Sequence, residues 1–113
     1  MKNRVFIVCE PTRRIAGEQV GTVDLTPAAE WGNPIVLLQS NQSLLNTAPT
    51  IETLCEKLRT FDDSDYLIPI GDPVLMCMAA TVAAMYNGGR LKMLKWDRQI
   101  KRYVPIQVDI KEP

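Results

Sequence analysis

Apolar and polar positions along this chain fall into short blocks, and the period within each block predicts an element. Arg4 to Cys9 is a nearly unbroken Val, Ile and Phe run that stops at Glu10-Pro11, the mark of a buried strand. Residues 11–24 are mixed, with Gly17 and Gly21, and suit a loop or irregular hairpin. In DLTPAAEWGNP, Thr26 is placed to cap a helix whose first residue is Pro27, and Gly32 to end it a turn later. Ile35 to Leu38 predicts a second buried strand, and the Ser, Asn, Gln and Thr of residues 39–49 a surface loop. After Thr50, a candidate N-cap, Ile51, Leu54, Cys55, Leu58 and Phe61 recur at helical spacing. DDSD at 62–65 breaks the pattern, and Tyr66 to Ile70 predicts a third strand. Pro69 has no N–H, which puts that strand at an edge or distorts it.

The rest of the chain is the most patterned. IGDPVLMCMAATVAAMYNGG reads as a strand end, a Gly-Asp-Pro turn, and a helix over Val74 to Tyr86 that stops at Asn87-Gly88-Gly89. Two strands follow, turning near Asp97 to Lys101. Val104, Ile106, Val108 and Ile110 share one face by period two, and Pro105 marks an edge. Strands alternating with helices, then a hairpin, predict one α/β domain over residues 1–113, a small Rossmann-like layered fold with a C-terminal β-hairpin. A parallel core of three strands follows from the order, which leaves the strand order itself open.

Two features of these elements bear on function. Gly71-Asp72 lies at the carboxyl end of a strand, where open α/β sheets gather ligands. No G-x-G-x-x-G or G-x-x-x-x-G-K-[ST] pattern surrounds it. Helix capping by Asp72, with Pro73 as first helical residue, explains every residue of the turn. The ligand-binding reading places a ribose hydroxyl or a Mg²⁺ ion against Asp72. The helix from Val74 to Tyr86 has Thr81 as its one polar residue, so it predicts burial on both sides. Either the hairpin or a second copy covers it, and Met76, Ala80, Ala83 and Ala84 are the candidate oligomer contacts because small residues let helices approach closely.

Charge sharpens the picture at the hairpin. The chain has 113 residues and a formal net charge of zero, so as a whole it lacks a field that seeks polyanions. Yet Arg90, Lys92, Lys95, Arg98, Lys101 and Arg102, against the single Asp97, give their segment +5, balanced by −5 elsewhere. Trp96 and Tyr103 are interleaved. Such a hairpin can track a nucleic-acid backbone and stack on bases. It can equally protect a sheet edge or meet the acidic surface of another copy.

The chemistry that is missing narrows the class further. With no His, Ser-His-Asp and Cys-His catalysis and the usual zinc spacings are excluded. Cys9, Cys55 and Cys77 lie far apart in apolar stretches and read as buried thiols of a reducing compartment. DDSD reads as a solvated loop rather than a metal site, since no ligand of set spacing accompanies it. No apolar run reaches the roughly 20 residues of a membrane span, so a cytoplasmic protein without a membrane partner, cofactor or metal is expected.

The stretch YLIPIGDPVLMCMAATVAAMYNGGRLKMLKWDRQIKRYVPIQVDI, together with DLTPAAEWG, IVLL and LCEKLRTFDDSDYL, resembles a family of small uncharacterised proteins from tailed bacteriophages. LKWDR is its most distinctive segment. The resemblance implies a phage origin and a host-cell cytoplasmic location. It transfers no mechanism and no site residue, as the family has no established activity. A looser likeness, of architecture alone, is to small CRISPR-associated proteins that bind or cleave cyclic oligoadenylates. The His usual in their equivalent helix region is lacking here, which speaks against cleavage and leaves binding.

The expectation is therefore a non-enzymatic accessory protein, a homo-oligomer that binds a host or phage macromolecule. Arg90, Lys92, Lys95, Trp96, Arg98, Lys101 and Arg102 form the contact surface. The alternatives are a nucleotide-binding module, a sponge for a signalling nucleotide with Gly71 and Asp72 at its pocket, and a binder of single-stranded nucleic acid through the hairpin.

Overall fold

The computed structural model describes residues 3–10, 12–21, 25–39 and 42–111. The turn expected at Pro11, and residues 22–24, 40 and 41 of the two polar loops, lie outside the described residues. Strand β1 (Arg4–Cys9) is buried from Val5 onward. Its period of two sends Phe6 and Val8 into one core and Val5 and Ile7 into another on the opposite face of the sheet. A hairpin of β2 (Thr12–Ile15) and β3 (Glu18–Gly21) turns through Ala16 and Gly17, both at positive φ, as a two-residue turn of type I′ requires.

The helix expected after Thr26 is a short 3₁₀ helix, Thr26–Glu30. Pro27 occupies its first turn as anticipated, but the N-cap is Leu25 and no side chain caps it. At its end Gly32 lies so close to Asn3 that a Cβ would meet the Asn3 carbonyl oxygen at 2.6 Å. Strand β4 (Asn33–Leu38) is buried only at Leu37 and Leu38, because it forms one edge of the sheet. Helix α1 (Ala48–Leu58) starts before Thr50. Pro49 fits its first turn, and the buried Thr50 hydroxyl donates to Gln42 Oε1 at 3.0 Å instead of capping. The expected face holds: Leu54, Leu58 and Phe61 are buried, with Ile51 and Cys55 packed against them. Lys57 Nζ donates to the Leu37 carbonyl at 2.9 Å, covering part of the β4 edge.

Strand β5 (Tyr66–Ile68), helix α2 (Pro73–Tyr86), strand β6 (Arg90–Asp97) and strand β7 (Arg102–Asp109) complete the chain. The sheet order is β4-β1-β5-β6-β7. The first four strands are parallel, one more than the order alone suggested, and β7 is antiparallel to β6. Pro69 does not move β5 to an edge; of the two expected effects, it is the disruption at the proline that occurs. The strand is central and stops one residue before the proline. Pro105 does sit on an edge strand, β7.

Both α-helices lie on one face of the sheet, with Leu54, Leu58, Leu75, Ala79 and Ala83 packed on Phe6, Val8 and Leu67. The other face has the 3₁₀ helix, whose Ala28 joins Val5, Ile7, Ile68, Leu94 and Tyr103. The result is a mixed α/β fold with a five-stranded sheet and two helices. With both helices in one layer, α2 has a sheet on one side only. Its expected burial on both sides does not occur within the chain: Val74 is 49% and Met85 61% exposed.

Candidate functional site

In the sheet, the chain leaves β1 toward β4 but leaves β5 toward β6. Ligand crevices form outside the carboxyl ends of the strands where such a reversal occurs. Here the loops after β1 and β5 touch. Gly71, at φ +109, packs so closely that a Cβ would lie 2.8 Å from Cys9 Cβ and 2.9 Å from its carbonyl oxygen. Gly71 thus serves a close backbone approach. Asp72 Oδ1 accepts from Val74 N–H at 2.8 Å and caps α2 while the residue stays exposed. Burial, and then the charge of Asp72, push the Cys9 thiol up, which keeps it protonated and unreactive.

One strand further along, the same end of the sheet opens into a pocket of about 490 Å³. Its origin is a difference in strand length. Leu67 pairs with Met93, after which β5 ends at Ile68 while β6 runs on to Asp97. Pro69 enforces the early stop, since it cannot donate to a central ladder. The notch so left is floored by Ile68 and Leu94 and walled by Pro27 of the 3₁₀ helix, Pro69, Ile70, Trp96 and Tyr103. Trp96 and Tyr103 meet edge to face with centroids 5.0 Å apart, which fixes the partly exposed indole beside the opening. Lys95 and Arg98 complete the lining, to which no carboxylate contributes among the described residues. Both cations are exposed and have no ion pair among the described residues.

Of the residues singled out from the sequence, the pocket unites Lys95, Trp96 and Arg98. Gly71 and Asp72 follow Ile70 in the chain but do not line it. The remaining hairpin cations are spread out. Lys101 is exposed in the turn at φ +54. Arg102 pairs with Glu30 at 3.0 Å. Lys92 lies 4.4 Å from the centroid of Tyr66, whose ring meets Trp31 edge-on. Arg90, at the far end of β6, donates to Asp63 Oδ1 at 3.0 Å. On α2, Ala83 and Ala84 are buried against the sheet and Met76 and Ala80 are half-buried; the outward stripe is Val74, Cys77, Thr81 and Met85.

DDSD is a loop whose first two acids, Asp62 and Asp63, are exposed as expected, whereas Asp65 is buried and departs from that expectation. Asp62 Oδ1 accepts from Ser64 N–H and Oγ, which lowers the Asp62 carboxyl below its ordinary value. Asp63 is lowered by hydrogen bonds from Asn87 and Arg90. Asp65 is buried against Arg4. Among the described residues no group of His, Cys, Asp or Glu is placed to hold a metal, and no helix is long and apolar enough to cross a membrane. The pocket walls Pro27, Ile68, Ile70 and Leu94 escaped the sequence reading as site residues, although Tyr103 was picked out with Trp96 and Pro69 inside an apolar run marked a break in a strand.

Fold and pocket together define a small mixed α/β protein with an apolar, cation-rimmed cavity at its strand ends. The chain belongs to the Phage Pam3 gp32-like protein family, whose match covers residues 3–110. The phage resemblance carried by the LKWDR region is thereby borne out. No curated protein and no solved structure gives a match.

Proposed function

We propose that this is a non-enzymatic phage accessory protein that acts in the host cytoplasm by binding an anionic partner group at the strand-end pocket and the adjoining turn of the hairpin. The observation that carries this reading is the juxtaposition of an apolar floor, Ile68 and Leu94, with the cations Lys95 and Arg98, which among the described residues have no ion pair and no acid beside them in the lining. Binding sites combine apolar walls with a few placed polar groups in this way. The succession β4-β1-β5-β6 supports the reading, because it is the order of flavodoxin-like sheets, relatives of the Rossmann-like arrangement, which bind at this end. Having both helices on one face departs from the doubly wound pattern.

Native mass spectrometry of gently purified protein, at low and moderate salt, tests the proposal. An anionic adduct or captured partner is expected, and it should be lost in Lys95→Glu/Arg98→Glu with the thermal unfolding midpoint unchanged. Equal retention by both proteins, or no adduct and no partner at either salt, would count against it.

A second reading rests on a different observation. Val74, Met85, Ile106 and Ile110 expose apolar surface on the helix side of the molecule, and a groove of about 400 Å³ runs between α2, Leu91 and Ile110. The outward stripe of α2 is uncharged, so two copies can pack it together without like-charge repulsion. Sedimentation should show a homodimer that Met85→Glu converts to a monomer. A monomeric parent protein at micromolar concentration would remove this reading.

A further inference from the structure

The pocket's shape and charge specify its occupant more narrowly. This step rests on the pocket reading above. We propose that the pocket accepts a nucleoside phosphate, its base between Pro27 and the indole of Trp96 and its phosphate at Lys95 and Arg98.

Three observations lead there. First, the walls are flat. A proline ring, an indole and a phenol border a notch of about 490 Å³, a volume that accommodates a planar ring with a sugar. Trp96 is held by its T-shaped contact with Tyr103 and stays partly exposed, which leaves the indole available for stacking. Every base has a flat face that stacks on such a ring.

Second, the notch has hydrogen-bonding edges. Beyond Ile68 the backbone of Pro69 and Ile70 has left the parallel ladder, and both residues line the cavity with their backbone groups past the last paired position. A base carries donors and acceptors on its rim that such groups can meet; a simple aromatic acid does not.

Third, the charge suits phosphate. An ammonium-bearing and a guanidinium-bearing residue both belong to the lining, Lys95 from β6 and Arg98 from the turn. Neither is engaged by an acid among the described residues. Guanidinium bonds phosphate oxygens in pairs, and the ammonium adds a further donor and charge.

The same chemistry is offered by a free nucleotide and by one residue of a single strand. Lys101, exposed beyond Arg98 in the same turn, gives a strand a further cation to follow.

Isothermal titration calorimetry of the full chain with four probes decides the matter: adenosine monophosphate, a short oligothymidylate, inorganic phosphate and decanoate. The proposal expects the nucleotide or the oligonucleotide to bind at least about tenfold more tightly than phosphate. Lys95→Gln/Arg98→Gln should weaken that binding about tenfold or more, and Trp96→Ala should do the same with the charges intact. The mononucleotide binding as well as the oligonucleotide identifies a free nucleotide as the source. Oligonucleotide binding alone, falling steeply with salt, identifies a strand. Decanoate binding without either nucleotide probe overturns the nucleoside phosphate and leaves an anion-binding pocket standing. Silence from all four probes overturns both. Nucleotide binding unmoved by the charge and indole variants overturns the placement.

Discussion

Replacing Arg4 by Met isolates the contact that joins the first strand to the acidic break before β5. Arg4 Nε donates to Asp65 Oδ1 at 3.0 Å and a terminal nitrogen to Oδ2 at 2.7 Å, a paired geometry. The guanidinium also donates to the Thr60 hydroxyl and carbonyl. The Asp65 side chain is 2% exposed and that of Arg4 32%. Removing one partner of a fully buried pair costs about 3–5 kcal/mol, because a charge is left in the interior. Here the cation sits a third in water, and solvent can take its place beside Asp65; screening lowers the expectation to about 2–3 kcal/mol. The Asp62 N–H, which donates to Asp65 Oδ2 at 2.9 Å, stays in either case. For a chain of this size that is a fall of about 8–12 °C in Tm.

Urea unfolding followed by tryptophan fluorescence is the assay. Trp31 meets Tyr66, next to Asp65, edge-on and reports this region. The single variants Arg4→Met and Asp65→Leu should each be markedly less stable, while the double variant recovers a large part of the loss, since no unpaired charge remains. Additive losses, with a coupling under about 0.5 kcal/mol, would refute the reasoning.

Further expectations follow from other contacts. Gly71→Ala forces a Cβ into Cys9 at a positive φ and should cost about 2 kcal/mol or more, read as a shifted urea midpoint; a neutral result would mean the β1 and β5 loops part easily. Leu54→Ala empties a fully buried position between α1 and the sheet and should cost about 3–4 kcal/mol, whereas Leu45→Ala, at a side chain 101% exposed, should change stability by less than about 0.5 kcal/mol. Asp62 and Asp63 have folded pKa values below the usual 3.8, so their contribution is present at neutral pH and is lost as pH falls through those lowered values. The Asp62→Asn/Asp63→Asn protein should therefore lose less stability than the parent between about pH 5 and pH 2, measured by thermal unfolding across that range; parallel curves would contradict the assignment.

The elements legible in the sequence are those whose causes are local. Asp72 and Pro73 start α2, Asn87 and the two glycines end it, and Asp97 turns the hairpin by accepting from the N–H groups of Gln99 and Ile100. What escaped depends on residues far apart. Thr50 looked like a cap because its own neighbourhood suits one; its hydroxyl is taken by Gln42. Asp65 looked solvated because its partner, Arg4, is 61 positions away. Tyr66 to Ile70 looked like an edge strand because a proline excludes a central ladder. The chain satisfies that exclusion by shortening the strand instead, and the shortening makes the pocket. Lys95, Trp96 and Arg98 were visible because a charge run with an aromatic is a local signal. Pro27 and Tyr103, which face each other across the notch only after folding, have no common window.

On the proposed reading the two ends of the sheet divide stability from recognition, and charge follows that division. Three of the four ion pairs among the described residues gather at the amino ends of the parallel strands: Arg4 with Asp65, Arg90 with Asp63, and Lys111 with Asp109. There these six charges have their counter-charges. At the carboxyl end Lys95, Arg98 and Lys101 have none among the described residues, and their repulsion is tolerated because water solvates all three. Charge substitutions should therefore separate into two kinds. At Arg4 and Asp65 they move the unfolding midpoint and leave ligand affinity alone. At Lys95 and Arg98 they weaken binding with the midpoint unmoved. The hairpin's +5 looked like one surface in the sequence, but β6 carries it from one end of the sheet to the other, and it is at the turn end that Lys95, Arg98 and Lys101 lie without an ion pair among the described residues, while Arg102 is held by Glu30.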